Sequence, residues 1–367
     1  MMIIGFYIDE MNLRGIANST YSYAHYNEKI LKNKSIIFFN DRNHRNLKEV
    51  IDKFKNRFKV IKIQNFLEID SYKEKLKLDF IYVQKSGYKD KWVSDKIKTL
   101  IHAVYPTKFN QIHGHKFAFI SKWLTEKFSN NKLDYVPYIV ENYNTNKNLK
   151  SLLKIKKNHI VFGCHGGDSS FDLKFVQDAV IEIVKNRDDI FFLFLNINKF
   201  TTHPRIIFLK GTLDNRYKRK FLNTCDAMIY ARSLGESFGL ACAEFAILGK
   251  KIICYKFNRH KNHTHSLSKK QYIEYHSFKN LFNILNNFKK DYKKIVSLDY
   301  NEYLNLHPKK VMKIFKNVFL TKRNNNNMNS FDILYNFINY IIMLYNYLNY
   351  KMYTHYYNFF YRKILKK

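Results

Sequence analysis

The chain has 367 residues, of which 46% are hydrophobic and 17% aromatic. This is enough apolar material for two or three domains of ordinary size, and it excludes a chain that is mostly disordered. The low counts of 11 Gly and 4 Pro exclude collagen-like and linker-rich architectures. Lys and Arg number 64 against 30 Asp and Glu, which gives a formal net charge of +34.

The positive charge has two explanations. A polyanionic partner such as nucleic acid or an anionic membrane would attract it. The chain is also rich in Asn, Ile, Tyr and Phe, which share A/T-rich codons with Lys, so an AT-rich genome would supply much of the lysine by itself. We favour this compositional explanation, because net charge governs solubility and non-specific binding rather than fold.

The cysteines and the N-terminus both indicate a cytoplasmic protein. The four cysteines form no C-x-x-C pair and lie in apolar surroundings, so we predict reduced, buried thiols at Cys164, Cys225, Cys242 and Cys254. Residues 1–7 are too short for a signal peptide and lack its basic flank, and they predict a first strand instead.

The first 140 residues alternate between short apolar runs and helical patterns. This alternation predicts βα units around a parallel sheet. A helix is predicted over 17–32, and strands are predicted at 2–8, 35–39, 58–63, 79–83, 99–104 and 116–120.

A polar connector over 134–150 precedes a second block of the same kind. Strands are predicted at 159–164, 190–195, 205–209, 226–230 and 251–255, and helices at 171–187, 214–224, 238–249 and 278–289. The sequence therefore predicts an α/β protein with two doubly wound, Rossmann-like domains, 1–140 and 141–300, facing a cleft. In such sheets ligands bind beyond the carboxyl ends of the strands.

The C-terminal part predicts a helical return segment over 301–321, a polar linker at Asn324–Asn327 and a helical tail over 330–367. Ser330 is placed to cap the tail helix, with Asp332 in its first turn. At 100° per residue, Asp332, Asn336, Asn339 and Asn346 form one polar stripe along this helix. The rest of its surface is apolar and aromatic, and its C-terminal end is basic. This content does not suit a membrane span, so we predict a helix that lies on a membrane surface or contacts protein, either its own core or a second copy.

Residues 211–255 carry the chemistry that is most specific in the sequence. After the predicted strand DAMIY, a helix is predicted to begin near Phe238. The backbone N–H groups of a helix start point outward and carry a partial positive charge, so a diphosphate fits there, at Phe238, Gly239 and Leu240. Gly239 would let the backbone approach the ligand closely.

Two glutamates flank this predicted helix start. Glu236 and Glu244 are eight residues apart, about 12 Å along a helix, so their carboxylates could reach hydroxyl groups on both sides of a diphosphate. A nucleotide-sugar has such hydroxyls, on the ribose and on the sugar. Taken alone, a pair with this spacing is common on solvated helix surfaces and has little specificity.

The longer pattern Glu236-Ser237-Phe238-Gly239-Leu240, followed by Glu244 and then by an apolar strand, resembles the donor-binding region of GT-B glycosyltransferases. It is most similar to the retaining glycosyltransferase family 4 type. The resemblance implies transfer of a sugar from a nucleoside-diphosphate sugar to an acceptor, with retention and without an obligatory metal or other cofactor. The acceptor would be a glycan, a lipid or a protein, with nucleic acid less favoured.

The same resemblance assigns roles to individual residues. It implies that Glu244 binds the donor ribose, that Glu236 lies near the transferred sugar as a catalytic residue, and that the turn Gly211–Asp214 lines the base pocket. Ser237, Phe238, Gly239 and Leu240 would contact the donor.

A second glycine-rich segment follows the strand at 159–164, and we predict that it is a donor-binding turn that precedes a helix, with Gly163, His165, Gly166 and Gly167 as its residues. It departs from the family, in which an Arg and then a Lys normally follow the strand glycine. Here Cys164 takes the first position, and no Lys occurs before Lys174. A diphosphate needs cations or many N–H donors, so we hypothesise that Arg232 supplies the charge. The departure leaves open a weakened or inactive enzyme.

Two positions in the first block match the family more loosely. Gly15 lies after the first strand, where the family has a donor-binding glycine loop, and His102 lies at a strand end, where the family carries a functional His. The alternative for His102 is a structural hydrogen bond. His113, His115 and His165 compete with it as candidates.

Metal sites and other functions have weaker support. We predict that the cluster of His260, His263 and His265 is a solvated loop rather than a metal site, and the sequence contains no Asp-x-Asp. We predict no metal and no cofactor besides the nucleotide-sugar co-substrate. The alternatives are a glycosyltransferase that acts on nucleic acid, and a non-catalytic protein with a degenerate transferase fold that binds polyanions or a membrane surface.

Overall fold

A computed structural model describes residues 1–289, 300–321 and 330–361. The chain forms two compact units. The first contains Met1–Glu141 and Asn305–Asn339, and the second contains Asn142–Leu304 and the chain from Tyr340. The predicted linker Asn324–Asn327 and the basic C-terminal end after residue 361 lie outside the described residues.

The first unit is built on a six-stranded parallel sheet of order β3-β2-β1-β4-β5-β6. Its elements are β1 (Ile3–Ile8), α1 (Gly15–Lys29), β2 (Lys34–Asn40), α2 (Lys48–Lys55), β3 (Lys59–Ile63), α3 (Lys73–Leu76), β4 (Phe80–Lys85), β5 (Lys98–Ala103), β6 (Lys116–Phe119) and α4 (Lys122–Ser129). The central strands β1 (IIGFYI) and β4 (FIYVQK) are largely apolar, as is typical of a parallel sheet whose faces are covered by helices. All predicted strands are confirmed, with ends shifted by one or two residues.

The second unit repeats this architecture, with sheet order β14-β12-β10-β7-β8-β9 and a separate pair, β11 with β13. Its elements are β7 (Ile160–His165), α5 (Lys174–Asn186), β8 (Ile190–Leu195), β9 (Ile206–Leu209), α6 (Asn215–Thr224), β10 (Ala227–Ile229), β11 (Gly235–Glu236), α7 (Leu240–Ala246), β12 (Ile252–Tyr255), β13 (His260–Lys261), α8 (Asn262–His265), β14 (Tyr272–Tyr275) and α9 (Phe278–Asn286). The strands β11, β13 and β14 were not predicted from the sequence, because they are short and not continuously apolar.

Each sheet is doubly wound. In the second sheet the chain builds outward from β7 through β8 to β9, and then returns to the other side of β7 for β10, β12 and β14. The strand order therefore reverses between β7 and β10, and ligands of open α/β sheets bind outside the carboxyl ends of the strands at such a point. His165 ends β7 and Tyr230 directly follows β10, so both lie at this edge.

The predicted return segment is helical. A 3₁₀ turn at Glu302–Asn305 precedes α10 (Pro308–Phe315), which continues into a π-helical turn at Lys316–Thr321. Pro308 starts α10 favourably, because a first helical residue needs no N–H bond. Phe315 packs on Tyr23 at 5.4 Å between ring centroids and so fixes α10 within the first unit.

The tail is a long helix, α11 (Ser330–Tyr356), followed by a π-helical turn at Tyr357–Tyr361. The predicted Asp332 is in its first turn. Among the described helices, none combines the length and the apolar character that crossing a membrane requires. The four cysteines are unpaired with one another and buried, as predicted.

Gly163 lies in the middle of β7 and offers a test of core packing. A Cβ atom at this position would lie 2.2 Å from Cys225 Sγ and 3.1 Å from Phe245 Cζ, inside contact distance. We expect Gly163→Ala to destabilise the protein by about 1–3 kcal/mol, because a well-packed core has no room for another methyl group. The urea unfolding midpoint measures this change.

Gly15→Ala is the matched control. A Cβ at Gly15 would meet no heavy atom within 4 Å, and the residue opens α1. The substitution should leave the midpoint unchanged or raise it slightly, since Ala favours a helix over Gly. Equal midpoints for the Gly163→Ala variant and the unmodified protein would contradict this account of the core.

Candidate functional site

Glu236 is held by two donors at the carboxyl end of β10. Its Oε1 atom accepts hydrogen bonds from the Tyr230 hydroxyl at 3.0 Å and from the Arg232 guanidinium at 3.3 Å. Burial, together with the charge of Glu236, raises the pKa of Tyr230 well above its ordinary value, so its hydroxyl stays protonated and donates. The Glu236 side chain is about one-fifth exposed, which leaves its carboxylate accessible.

The loop that carries Arg232 is fixed from two sides. The Asp172 carboxylate accepts hydrogen bonds from the backbone N–H of Ser233 at 2.7 Å and from its hydroxyl at 2.8 Å. The Asn258 amide donates to the Arg232 carbonyl at 2.6 Å. This backbone therefore holds the Arg232 side chain at the edge of the sheet.

Two glycines shape the turn between β11 and α7. Gly235 has φ +76°, and a Cβ there would lie 2.1 Å from the His260 carbonyl oxygen, in the strand that pairs with β11. Gly239 has φ +86°, in the left-handed region that favours glycine, and it precedes the first residue of α7. The Glu236 side chain packs closely against Gly239. A Cβ atom at Gly239 would lie only 3.2 Å from Glu236 Cβ, so a larger residue would crowd this side chain.

The two glutamates lie before and on this helix, as predicted. The helix begins at Leu240, two residues after the predicted start near Phe238, and Glu236 lies ahead of it in β11. The spacing of 12 Å along one helix does not apply, because the left-handed turn at Gly239 separates the two residues. The buried Phe238 ring contacts Tyr303, whose hydroxyl donates to the Phe238 carbonyl at 2.8 Å, and this anchors the turn.

Glu244 is buried in α7 between two basic side chains. Lys218 of α6 donates to its Oε1 at 2.5 Å, and Nε2 of His165 lies 2.9 Å from its Oε2. Burial would raise the pKa of Glu244, but Lys218 and His165 outweigh burial and lower this pKa to about 2. The carboxylate is therefore ionised at neutral pH although its residue is only 6% exposed.

His165 joins the end of β7 to this ion pair. Its ring stacks on Phe245 at 6.0 Å and meets Phe221 edge-on at 5.9 Å. These contacts fix the ring plane and turn Nε2 toward Glu244. His165 thus lies at the end of β7 as a partner of Glu244, and its contact with the donor stays a prediction.

The glycine-rich turn differs from its prediction. Gly166 and Gly167 follow β7, but α5 begins at Lys174, so residues 168–173 separate the turn from the helix. The Gly166 carbonyl accepts from the Asn196 amide at 2.6 Å, and the Gly167 carbonyl accepts from the backbone N–H of Ser170 at 2.9 Å. Gly163 lies inside β7 and lines the core, so its predicted place in the turn was wrong.

His102 does not fit the catalytic role predicted for it. It is fully buried in the first unit, with Nδ1 2.6 Å from the Tyr82 hydroxyl and Nε2 2.8 Å from the Val136 carbonyl oxygen. Burial lowers the pKa of His102 to about 3, so the ring is neutral. Both ring nitrogens have hydrogen-bond partners inside the core. His102 therefore makes the structural hydrogen bonds that were the alternative to a catalytic role. Gly15 also differs from its prediction, since it is the first residue of α1 rather than part of a glycine loop.

The histidines expected in a solvated loop are partly buried. His260 lies in β13 and His263 in α8, and they are 4% and 1% exposed. Burial lowers the pKa of each to about 3. The prediction of a solvated loop was therefore wrong for these two residues, since His260 pairs with Gly235 in β11 and the His263 ring packs on Tyr230. Within residues 1–289, 300–321 and 330–361, no three His, Cys, Asp or Glu side chains form a group that could hold a metal ion.

Lys218 and Tyr230 belong to the candidate site but were not predicted from the sequence. Lys218 lies 26 positions before Glu244 and reaches it because α6 and α7 flank neighbouring strands, which no local pattern shows. Tyr230 could have been predicted as a site residue from its position, since it directly follows the strand at which the winding direction of the sheet reverses. Asp172 was also missed, because its target is a loop 61 residues away.

Several solved structures share the architecture of the whole chain. A glycosyltransferase from Rickettsia africae is 14% identical, with a TM-score of 0.56 over 96% of this chain and 98% of that one. Anabaena HepE in complex with UDP-glucose is 11% identical, with a TM-score of 0.58 over 93% and 99%. A putative UDP-N-acetylglucosamine 2-epimerase from Listeria monocytogenes is 12% identical, with a TM-score of 0.55 over 89% and 99%.

No protein-family model matches the sequence, and no curated protein matches it at a significant level. The structural likeness therefore establishes the fold. The chain has the GT-B fold, with two parallel-sheet α/β domains and a helical C-terminal segment.

The buried His102 predicts a pH dependence of stability. Its pKa is about 3 in the folded protein and about 6.5 in an unfolded chain, so between these values the unfolded state binds more protons. The free energy of unfolding should therefore fall as the pH drops below 6.5, by about 1.4 kcal/mol per pH unit for this group. His102→Gln should reduce that slope between pH 6 and 4.5, as measured by urea unfolding at each pH.

His44→Gln is the control for this experiment, because His44 is exposed in the same unit. It should keep the slope of the unmodified protein. If both variants gave the same slope, the burial of a neutral His102 would be wrong.

Proposed function

We propose that this protein is a glycosyltransferase that moves a sugar from a nucleoside-diphosphate sugar to an acceptor. The observation that carries the proposal is the pair of carboxylates at the carboxyl edge of the second sheet. Glu244 is buried and ionised, while Glu236 is accessible and held by two donors. Both follow β10, next to the point where the winding direction reverses, which is where open α/β sheets bind ligands.

Glu244 suits the ribose of the donor. An ionised carboxylate only accepts hydrogen bonds, and a vicinal diol offers two donors to it. Lys218 donates to one carboxylate oxygen and Nε2 of His165 lies 2.9 Å from the other, so the carboxylate is positioned before the ligand arrives. Hydrogen bonds to a charged group of this kind contribute more than neutral ones.

In this proposal, two basic side chains and the start of one helix stabilise the negative charge of the diphosphate. Cys164 cannot replace the arginine that the family carries, because burial raises the pKa of its thiol and keeps it neutral. Arg232 lies on the fixed loop beside Glu236, and Lys218 lies beside Glu244. The first N–H groups of α7 add partial positive charge, so the charge that develops on the leaving diphosphate is stabilised electrostatically.

Glu236 would lie near the transferred sugar, with Tyr230 and Arg232 setting its orientation. Retention of configuration, independence of metal ions and an acceptor that is a glycan, lipid or protein complete the proposal. These parts are supported by the resemblance of the Glu236–Glu244 segment to glycosyltransferase family 4. Gly166, Gly167, Ser237, Phe238, Gly239 and Leu240 remain predicted donor contacts at the same edge.

The choice of assay follows from the fold neighbours. One of them holds UDP-glucose and another is described as a UDP-N-acetylglucosamine 2-epimerase, so uridine ligands form the first series to test. Incubation with the donor alone would reveal an epimerase, whereas a transferase needs an acceptor to give a glycosylated product. Tight, salt-sensitive binding to nucleic acid without any binding of nucleotide-sugars would instead favour the polyanion-binding alternative.

Glu244→Gln tests the ribose contact. The variant keeps the side-chain shape but removes the charge, so we expect affinity for uridine, UDP and UDP-glucose to fall together, by about tenfold to a hundredfold. Isothermal titration calorimetry measures the three dissociation constants. Glu274→Gln, at an exposed position in the same unit, is the matched control and should bind like the unmodified protein. Unchanged affinity in the Glu244→Gln variant would refute this role.

Arg232→Met tests the cation at the diphosphate. Affinity for UDP and UDP-glucose should fall about tenfold, because a charge-assisted contact is lost, while affinity for uridine should stay the same. Arg216→Met, at an exposed position on α6, controls for the loss of one positive charge. An equal loss for uridine and UDP would show that Arg232 acts on the fold of the loop and not on phosphate.

A further inference from the structure

The tail helix α11 presents its polar side to the protein. In its first part, Asp332 is 1% exposed and accepts a hydrogen bond from the Asn130 amide at 3.0 Å. Asn336 is 5% exposed, and its amide donates to the Phe128 carbonyl at 2.6 Å. These contacts lie within the first unit and fix the rotation of the helix about its own axis.

The later part of α11 is fixed by contacts in the second unit. The Tyr353 hydroxyl accepts a hydrogen bond from the Phe278 backbone N–H at 2.7 Å. The Tyr357 hydroxyl donates to Asp178 at 3.0 Å. Asn339 and Asn346, which belong to the same polar stripe, are also buried.

The opposite side of α11 is apolar and exposed. This helix and its π-helical turn hold 13 of the 21 large hydrophobic side chains that are exposed in the described part of the chain: Phe331, Ile333, Leu334, Phe337, Ile338, Ile341, Ile342, Leu344, Tyr345, Leu348, Met352, Tyr356 and Phe359. At 100° per residue they occupy one half of the helix circumference. With 27 residues the helix is about 40 Å long, so this surface, which we name the outer face, is a continuous apolar strip. Exposed apolar areas of this extent mark interaction sites.

We propose that the outer face docks on the surface of an anionic lipid bilayer. Between residues 330 and 361 the sequence has one acidic residue, Asp332, and it is buried on the inner side. The sequence also places basic pairs before and after the helix, at Lys322-Arg323 and Arg362-Lys363. An apolar helical face with basic flanks is the combination that binds anionic interfaces.

Charge decides between a lipid surface and a second copy of the chain. Two copies would each carry a formal charge of +34, and in each sequence basic pairs precede and follow residues 330–361. Like charges oppose such a pairing, whereas an anionic surface attracts the same charges. The helix lies on the bilayer rather than across it, because its polar side is hydrogen-bonded to the protein. The apolar side chains would enter the boundary between headgroups and acyl chains.

Vesicle flotation with the full chain tests this docking. We expect binding to vesicles of phosphatidylcholine with phosphatidylglycerol, and much weaker binding to phosphatidylcholine alone. Phe337→Ser, Ile341→Ser and Leu348→Ser in one variant should lower binding about tenfold or more, because each removes an apolar side chain that is at least half exposed. The matched control combines Leu67→Ser, Leu152→Ser and Leu304→Ser, which are exposed elsewhere, and it should bind like the unmodified protein.

Three results would overturn the proposal. One is the absence of binding to either type of vesicle. Another is equal binding of the outer-face variant and its control, which would assign the interaction to net charge alone. A third is a molecular mass, measured by light scattering, that falls in the outer-face variant while vesicle binding is unchanged, since the face would then join two copies. UDP affinity, as measured for the proposed function, reports that the variant is folded and is independent of the docking result.

Discussion

The buried carboxylate of Glu244 is the constraint on which the functional interpretation depends. A carboxylate that is almost completely removed from water would normally take up a proton, and here Lys218 and His165 prevent this. The three side chains come from α7, α6 and the end of β7, so the charge balance exists only when the second sheet is correctly wound. Removal of one partner would leave a buried charge uncompensated, which ties the site to the stability of the unit.

The surroundings of Glu236 follow from backbone geometry rather than from charge. Gly235 and Gly239 both have positive φ, and they allow the chain to leave a short strand and enter a short helix within a few residues. This turn keeps Glu236 off the helix and directs it to Tyr230 and Arg232. The accessible carboxylate and the buried one thus occupy different environments, which agrees with the different roles proposed for them.

The first unit and the tail show how much a polar residue depends on its neighbours. His102 resembles a functional histidine in sequence, but Tyr82 and the Val136 carbonyl engage both of its nitrogens in the core. In α11 Asn336, Asn339 and Asn346 are buried and the isoleucines are exposed, which inverts the arrangement of an ordinary surface helix. Hydrogen bonds to backbone carbonyls make this inversion stable, because they satisfy the amides away from water.

The sequence by itself determined the two α/β blocks and nearly all the strands, because apolar runs of strand length between helical patterns have few other solutions. It also indicated the segment of the candidate site. It also determined the polar stripe of the tail, since helical periodicity is local. Only the tertiary structure decided the rest. Lys218 meets Glu244, Asp172 meets Ser233 and His102 is enclosed through contacts between residues far apart in the chain, and such contacts leave no periodic signal. The direction in which the tail's polar stripe faces was likewise decided by its partners at Asn130 and Phe128, which lie some two hundred residues away.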